Sequence, residues 1–183
     1  MGSIMSSSAP SNKPKLSSFE LSLYAMLAAL MFCSKLIMEA LPNIHLLGAL
    51  TMVYTVALRK KALIPIYVYV LLNGIFSGFA AWWAAYLYIW ALLWGATMLL
   101  PKAMPPWLAS ILYPTVCALH GFLFGVLYAP AQALLFGLDL KQTLAWIAAG
   151  LPFDMIHGIS NIFTGLTVLP LSGALKRLIE GRI

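Results

Sequence analysis

The stretch "FELSLYAMLAALMFCSKLIMEAL" occupies Phe19–Leu41. About twenty consecutive apolar residues are what a helix needs to cross the hydrocarbon core of a bilayer. The stretch therefore reads as a membrane crossing from about Ser18 to Met38. The same signature recurs along the chain, at about Leu41–Leu58, Ala62–Ala80, Trp82–Leu100, Trp107–Ala129 and Pro152–Leu171. Of the 183 residues, 62% are hydrophobic and 9% charged, whereas a soluble domain is about 45–50% apolar and about 25% charged. We expect an all-α integral membrane protein, a bundle of six transmembrane helices over residues 18–175. Such a bundle leaves no room for a soluble catalytic or nucleotide-binding domain.

The placement of charge orients the bundle. Put the N-terminus in the cytoplasm, and Lys13, Lys15, Arg59, Lys60, Lys61, Lys102, Lys176, Arg177 and Arg182 all fall on the inner side. Only Lys35 and Lys141 do not. Cytoplasmic loops carry the excess of Lys and Arg, so both termini are expected inside, and the formal charge of +6 points to a membrane rather than to nucleic acid. Residues 1–17 read as a disordered tail and 176–183 as a basic one. The tail "MGSIMSSSAPSNKPKLS" lacks the apolar core of a signal peptide. Its start matches the myristoylation pattern, but a six-span protein needs no lipid anchor. Cys33 and Cys117 sit in apolar runs and read as small buried hydrophobes.

The last crossing is ambiguous at its start. Gly150 and Pro152 offer a break, with Gln142–Ala149 as a short surface helix before it; without a break, Pro152 kinks one longer helix. Either way "LPFDMIHGISN" (Leu151–Asn161) puts Asp154, His157 and Asn161 at i, i+3 and i+7, on one face. An ionisable group at mid-membrane costs about 2.5–3.5 kcal/mol and usually faces a cavity or the bundle interior. Capping of free N–H groups would explain Asp154 alone; a ligand pocket would explain all three. Lys35 and Glu39, at i, i+4, form either an intrahelical ion pair or a second polar contribution to that pocket. Asn43 and His45 lie in the loop that would close over it. Phe76, Phe79, Trp82, Trp83, Tyr86, Tyr88 and Trp90 crowd the outer ends of two helices, where some are interfacial belt residues and others, Trp82, Trp83 and Tyr86 among them, could stack on a flat ring. Asn73 and His120 are lone polar groups in apolar helices. Ala25–Ala29, Gly74–Gly78 and Gly121–Gly125 are small-residue pairs that permit close helix contact. No P-loop, H-E-x-x-H or G-x-S-x-G motif occurs, and three His with five acidic residues offer little for a metal site.

These residues carry a family likeness. The chain resembles the substrate-binding S-components of energy-coupling factor vitamin transporters. The likeness rests on size and six helices, on Ala25-Met-Leu-Ala-Ala29 as an A-x-x-x-A pattern, on the block "RKKALIPIYVYVLLNGIFSGF" (Arg59–Phe79), and on "LPFDMIHG", which is similar to the P-F-N-x-I-K-G run of riboflavin-binding members. The resemblance implies that the Asn and Lys roles of that run fall on Asp154 and His157, whose different charge argues against riboflavin. It implies a multi-pass protein of the bacterial plasma membrane that captures a vitamin or vitamin precursor with a planar ring; pyridoxine-like and cobalamin-related compounds are both candidates. A transmembrane coupling subunit, met by Ala25 and Ala29, and two ATPase subunits would supply the energy, so ATP belongs to the partners and this chain needs no cofactor. It would not be an enzyme. The alternatives are a membrane scaffold with a purely structural polar stripe, and a small intramembrane enzyme using Asp154 and His157.

Overall fold

The computed structural model describes residues 16–41 and 43–182. The tail expected over 1–17 thus lies, through residue 15, outside the described residues, as does Ile183. Helix α1 (Ser18–Ile37) opens with a capping box. The Ser17 hydroxyl accepts from the Glu20 N–H at 3.1 Å and the Glu20 carboxylate accepts from the Ser17 N–H at 2.9 Å, so two end donors are satisfied at once. A 3-10 turn (Met38–Ala40) extends α1, and Asn43, with φ 61°, sits in the loop to α2 (Leu47–Leu58). Arg59, also at positive φ, begins a 3-10 turn (Arg59–Ala62) that leads into α3 (Leu63–Ser77). Helix α4 (Ala81–Leu99) stops at Leu100, which Pro101 holds extended.

Helices α5 (Pro106–Phe122) and α6 (Phe124–Phe136) form a 31-residue rod interrupted at the single residue Leu123. Pro106 starts the rod where no N–H is needed, and Gly137 ends it in the left-handed conformation. Helix α7 (Leu140–Gly165) opens with an Asp139–Gln142 capping box and meets α8 (Val168–Ile179) at a 49° bend. Counting each joined pair once gives six helices. Among the described residues there is no strand, and two helices, or three with the bent pair, are long and apolar enough to cross a membrane.

Four boundaries differ from the sequence expectation, the first being the end of the fifth crossing, where helix continues to Phe136 rather than stopping near Ala129. Helix α7 does not break at Gly150 or Pro152; it runs through both, so Gln142–Ala149 is its first half rather than a separate helix. One backbone hydrogen bond is lost at Pro152, which lies on an exposed stretch of α7. The break comes instead at Leu166–Thr167, which places Pro170 in the first turn of α8, where its missing N–H has no intrahelical partner to lose. Lys176 and Arg177 belong to the last turn of α8, so the helical domain runs past residue 175 and the tail is shorter than 176–183. In place of the second expected crossing, Leu41–Leu58, stands a helix of 12 residues, Leu47–Leu58, shorter than the roughly twenty that a crossing takes.

The molecule is arranged for an apolar surround. Leu21, Met26 and Leu30 of α1, Trp107, Ile111 and Leu119 of α5, and Phe153, Ile156 and Phe163 of α7 are all exposed, while Asn73, His120, His157 and Asn161 are buried. Contiguous apolar surface of this kind marks contact with lipid or protein rather than water. Helices α5 and α7 form the closest seam. A Cβ on Gly121 would lie 2.9 Å from both the Gly158 Cα and the His157 carbonyl oxygen, and one on Gly165 would lie 2.6 Å from the Pro114 Cα. Backbones this close require glycine.

Candidate functional site

The face of α7 that carries His157 and Asn161 packs into the bundle, and the rings around it form a continuous path. The loop residue His45 meets His157 edge-on at 4.6 Å between centroids. His157 lies 4.8 Å from Phe124 of α6, and Phe124 lies 5.9 Å from His120 of α5. His120 lies 5.8 Å from Trp90 of α4, and Trp90 lies 5.5 Å from Tyr86 and 6.3 Å from Tyr69 of α3. All three histidines of the chain stand on this path, contributed by a loop and two helices.

Most of these groups have a buried polar atom with no partner: His45 Nδ1, Tyr69 Oη, Trp90 Nε1, His120 Nδ1 and His157 Nε2. Asn73 Oδ1 and Asn161 Oδ1 are also unpartnered; each lies one helical turn from a member of the path, Asn73 after Tyr69 and Asn161 after His157. An unsatisfied buried polar group costs about 1–3 kcal/mol, and such groups call for an explanation. The set is chemically mixed. Trp90 can only donate, the asparagine oxygens can only accept, and imidazoles and a phenol do either. The His120 ring donates from Nε2 to the Ile89 carbonyl at 3.3 Å, so a neutral ring leaves Nδ1 to accept. Such a mixed set matches a planar molecule with donors and acceptors on its rim, but the rings touch one another, with centroids 4.6–6.3 Å apart, so such a molecule would have to part them. Among the described residues, no group of three or more His, Cys, Asp or Glu is placed to hold a metal ion.

The structure separates the residues singled out from the sequence. His45, Tyr86, His120 and His157 stand along the one path, with Asn161 a helical turn from His157 and Asn73 a helical turn from Tyr69. Asp154 is buried, but both carboxylate oxygens accept from the Gly125 N–H, at 3.0 and 3.1 Å. Gly125 lies in the first turn of α6, whose N–H groups are freed by the break at Leu123, so Asp154 caps the neighbouring helix rather than its own. Asn161 divides its amide: Nδ2 donates to the Cys117 carbonyl at 3.1 Å, while Oδ1 stays unpartnered. Lys35 and Glu39 form the intrahelical ion pair, at 3.4 Å, with the Glu39 side chain 65% exposed. Trp83 spends its indole N–H on the Val70 carbonyl at 2.8 Å and packs on Phe79. Trp82 packs on Tyr86, and its carbonyl accepts from the Tyr128 hydroxyl. The Asn43 carbonyl accepts from Ser160 Oγ at 3.3 Å, which ties the loop to α7. Ala25 and Ala29 are exposed. Tyr69 and Phe124 were not singled out: a phenol within an apolar run was a readable signal for Tyr69, and nothing in the sequence marks Phe124.

Five cavities open among the described residues, and none of these five is lined by Asp154, His157 or Asn161. One of about 280 Å³ reaches His120 between Leu92, Leu119 and Leu123, and one of about 350 Å³ is lined by Ile44, Ile159 and Ser160. The path is thus closed at His157, with His45 set over it.

The cap assignment has a direct test. Asp154→Ala leaves the buried Gly125 N–H without an acceptor and is expected to cost about 1–3 kcal/mol. Asp154→Asn keeps one oxygen acceptor and should recover most of that loss, as unfolding in mixed detergent micelles would measure.

No protein-family model, curated protein or solved structure matches this chain. The class that the fold defines is an all-helical protein with two to three helices of membrane-crossing length.

Proposed function

We propose that this protein is the substrate-binding subunit of an energy-coupling factor importer, a six-span bundle with both termini cytoplasmic. It captures a water-soluble vitamin or vitamin precursor at the ring-lined interior and depends on a coupling subunit and two ATPase subunits for energy. The observation that carries this reading is the set of unpartnered polar atoms along one aromatic path through four helices and a loop. A scaffold would gain by pairing such groups or replacing them with apolar ones; a binding protein keeps them for its ligand.

Two further features support it. Arg59 from a turn, Lys102 from a loop and Lys176 from the last turn of α8 line one space, and Lys176 shares a second with Lys61 and Arg177, as an inward-facing basic end requires. Ala25 and Ala29 are small and exposed on α1, where a partner helix could approach closely. In this reading His45 and the Asn43–Ser160 contact form the closure over the site, and the loop moves for the ligand to reach His157.

The test is mass spectrometry of small molecules released from the purified full-length protein, with a parallel pull-down from the native membrane. A single ring-bearing compound retained in near-stoichiometric amount, with ATPase subunits in the pull-down, is the expected result. Absence of any retained compound together with absence of ATPase partners would favour the scaffold.

A further inference from the structure

At the opposite end of the bundle, cations converge without matching anions. A cavity of about 230 Å³ is lined by Arg59 from the α2–α3 turn, Lys102 from the α4–α5 loop and Lys176 from α8, with Thr97 and Tyr113. No carboxylate lines it. A second cavity of about 610 Å³, sharing Ala57 and Lys176 with the first, is lined by Lys61, Arg177 and Glu180. Lys61 is already committed, in an ion pair with Glu20, which holds its ammonium above the usual lysine range. The smaller cavity therefore has three positive side chains around one space and no counter-charge.

Arg59 is held there at a conformational cost. Its φ is 55°, a region few residues other than glycine adopt. Its carbonyl accepts from the Trp94 indole at 3.1 Å, and its guanidinium donates to the Met98 carbonyl at 3.2 Å, at the C-terminal end of α4. Its Nε is buried and has no partner. An arginine anchored once through its backbone carbonyl and once through its guanidinium, with a donor to spare and flanked by two ammonium groups, is suited to a tetrahedral oxyanion.

We propose that this cavity is a phosphate-binding site, and that it takes the headgroup phosphate of an anionic phospholipid. The surroundings favour a lipid as the source. Helix α8 buries Val168, Ser172, Leu175 and Ile179 and exposes Leu171 and Leu178, so acyl chains have an apolar surface beside Lys176 and Arg177. Basic clusters at the end of membrane helices recognise anionic headgroups in this way. The inference requires a membrane setting and is independent of the transport reading.

The test is native mass spectrometry of the delipidated full-length protein with added phosphatidylglycerol or phosphatidylcholine. Phosphatidylglycerol should be retained in clear preference to phosphatidylcholine. Lys102→Gln with Lys176→Gln, both exposed side chains, should reduce that retention roughly tenfold. Lys60→Gln with Arg182→Gln removes the same charge from residues outside both cavities and should change it by less than about twofold. Inorganic phosphate, compared with sodium chloride at equal ionic strength, separates the sources. No extra displacement assigns the site to the lipid, and selective displacement assigns it to free phosphate. Equal losses in the two double variants, or equal retention of the two lipids without any selective effect of phosphate, would overturn the site.

Discussion

Gly121→Ala and Gly165→Ala are each expected to destabilise the fold by about 1–2 kcal/mol, whereas Gly150→Ala should stabilise it by about 0.5–1 kcal/mol. All three positions are helical, so each replacement gains the same helix propensity, about 1 kcal/mol. The difference lies in what the new methyl group meets. At Gly150 nothing lies within 4 Å. At Gly165 the nearest atom is the Pro114 Cα, and at Gly121 two of the nearest three belong to the α7 backbone. Backbone atoms in a packed helix pair cannot swing aside, so α5 and α7 must separate, and over-packing of this kind costs about 1–3 kcal/mol. Gly121→Val should reach about 3 kcal/mol, because its branches add volume without the propensity gain. Unfolding in mixed detergent micelles would order the variants. A stabilised Gly165→Ala would show that the seam is looser than the distances between its backbones indicate. The seam also matters to the site, since it sets the depth at which His157 and Asn161 face α5.

The same seam shows what the sequence could and could not disclose. The helical class and the clustering of the basic turns follow from composition and charge spacing, which act locally. The Gly121–Gly125 pair was readable as a close-contact motif, but Gly158, which Gly121 meets, and Gly165, which meets Pro114, are spaced seven apart and become a motif only when two helices cross. Asp154, His157 and Asn161 were legible as one face, because periodicity fixes that. What each group does on that face was not. The Asp154 partner is a backbone N–H freed by a break at Leu123, and the chain near Leu123 carries neither Pro nor a polar cap to announce a break. Pro152, a strong local signal, misled in the other direction: α7 runs through it, held on either side by Trp146 against Tyr128 and by Asp154 on Gly125. Lys35 with Glu39, by contrast, took the pairing that i, i+4 spacing favours anywhere. Local rules located the polar groups, and contacts between helices decided which of them are free to meet a ligand.

If the protein binds a ring-bearing compound as proposed, His157→Leu is expected to lower the affinity for that compound about 10–100-fold while leaving the protein as stable as before or more so. The two readouts move apart for a physical reason. His157 is 3% exposed, its ring packs against His45 and Phe124, and Nε2 has no partner. Leucine keeps an apolar body at that place and removes an unsatisfied polar atom, a change worth as much as about 1–3 kcal/mol in favour of the fold. A ligand atom that hydrogen-bonds Nε2 would instead face leucine on binding and forfeit its own hydration, a loss of about 1–3 kcal/mol that corresponds to the stated range of affinity. The Asp154→Ala variant supplies the contrast, because its carboxylate is engaged by Gly125 and its removal should reduce stability first. Thermal unfolding of both variants, measured beside equilibrium dialysis of the compound that co-purifies with the unmodified protein, separates the cases. If His157→Leu unfolds more readily and binds the compound unchanged, the imidazole is a structural strut, and the unpartnered atoms around it do not constitute a binding site.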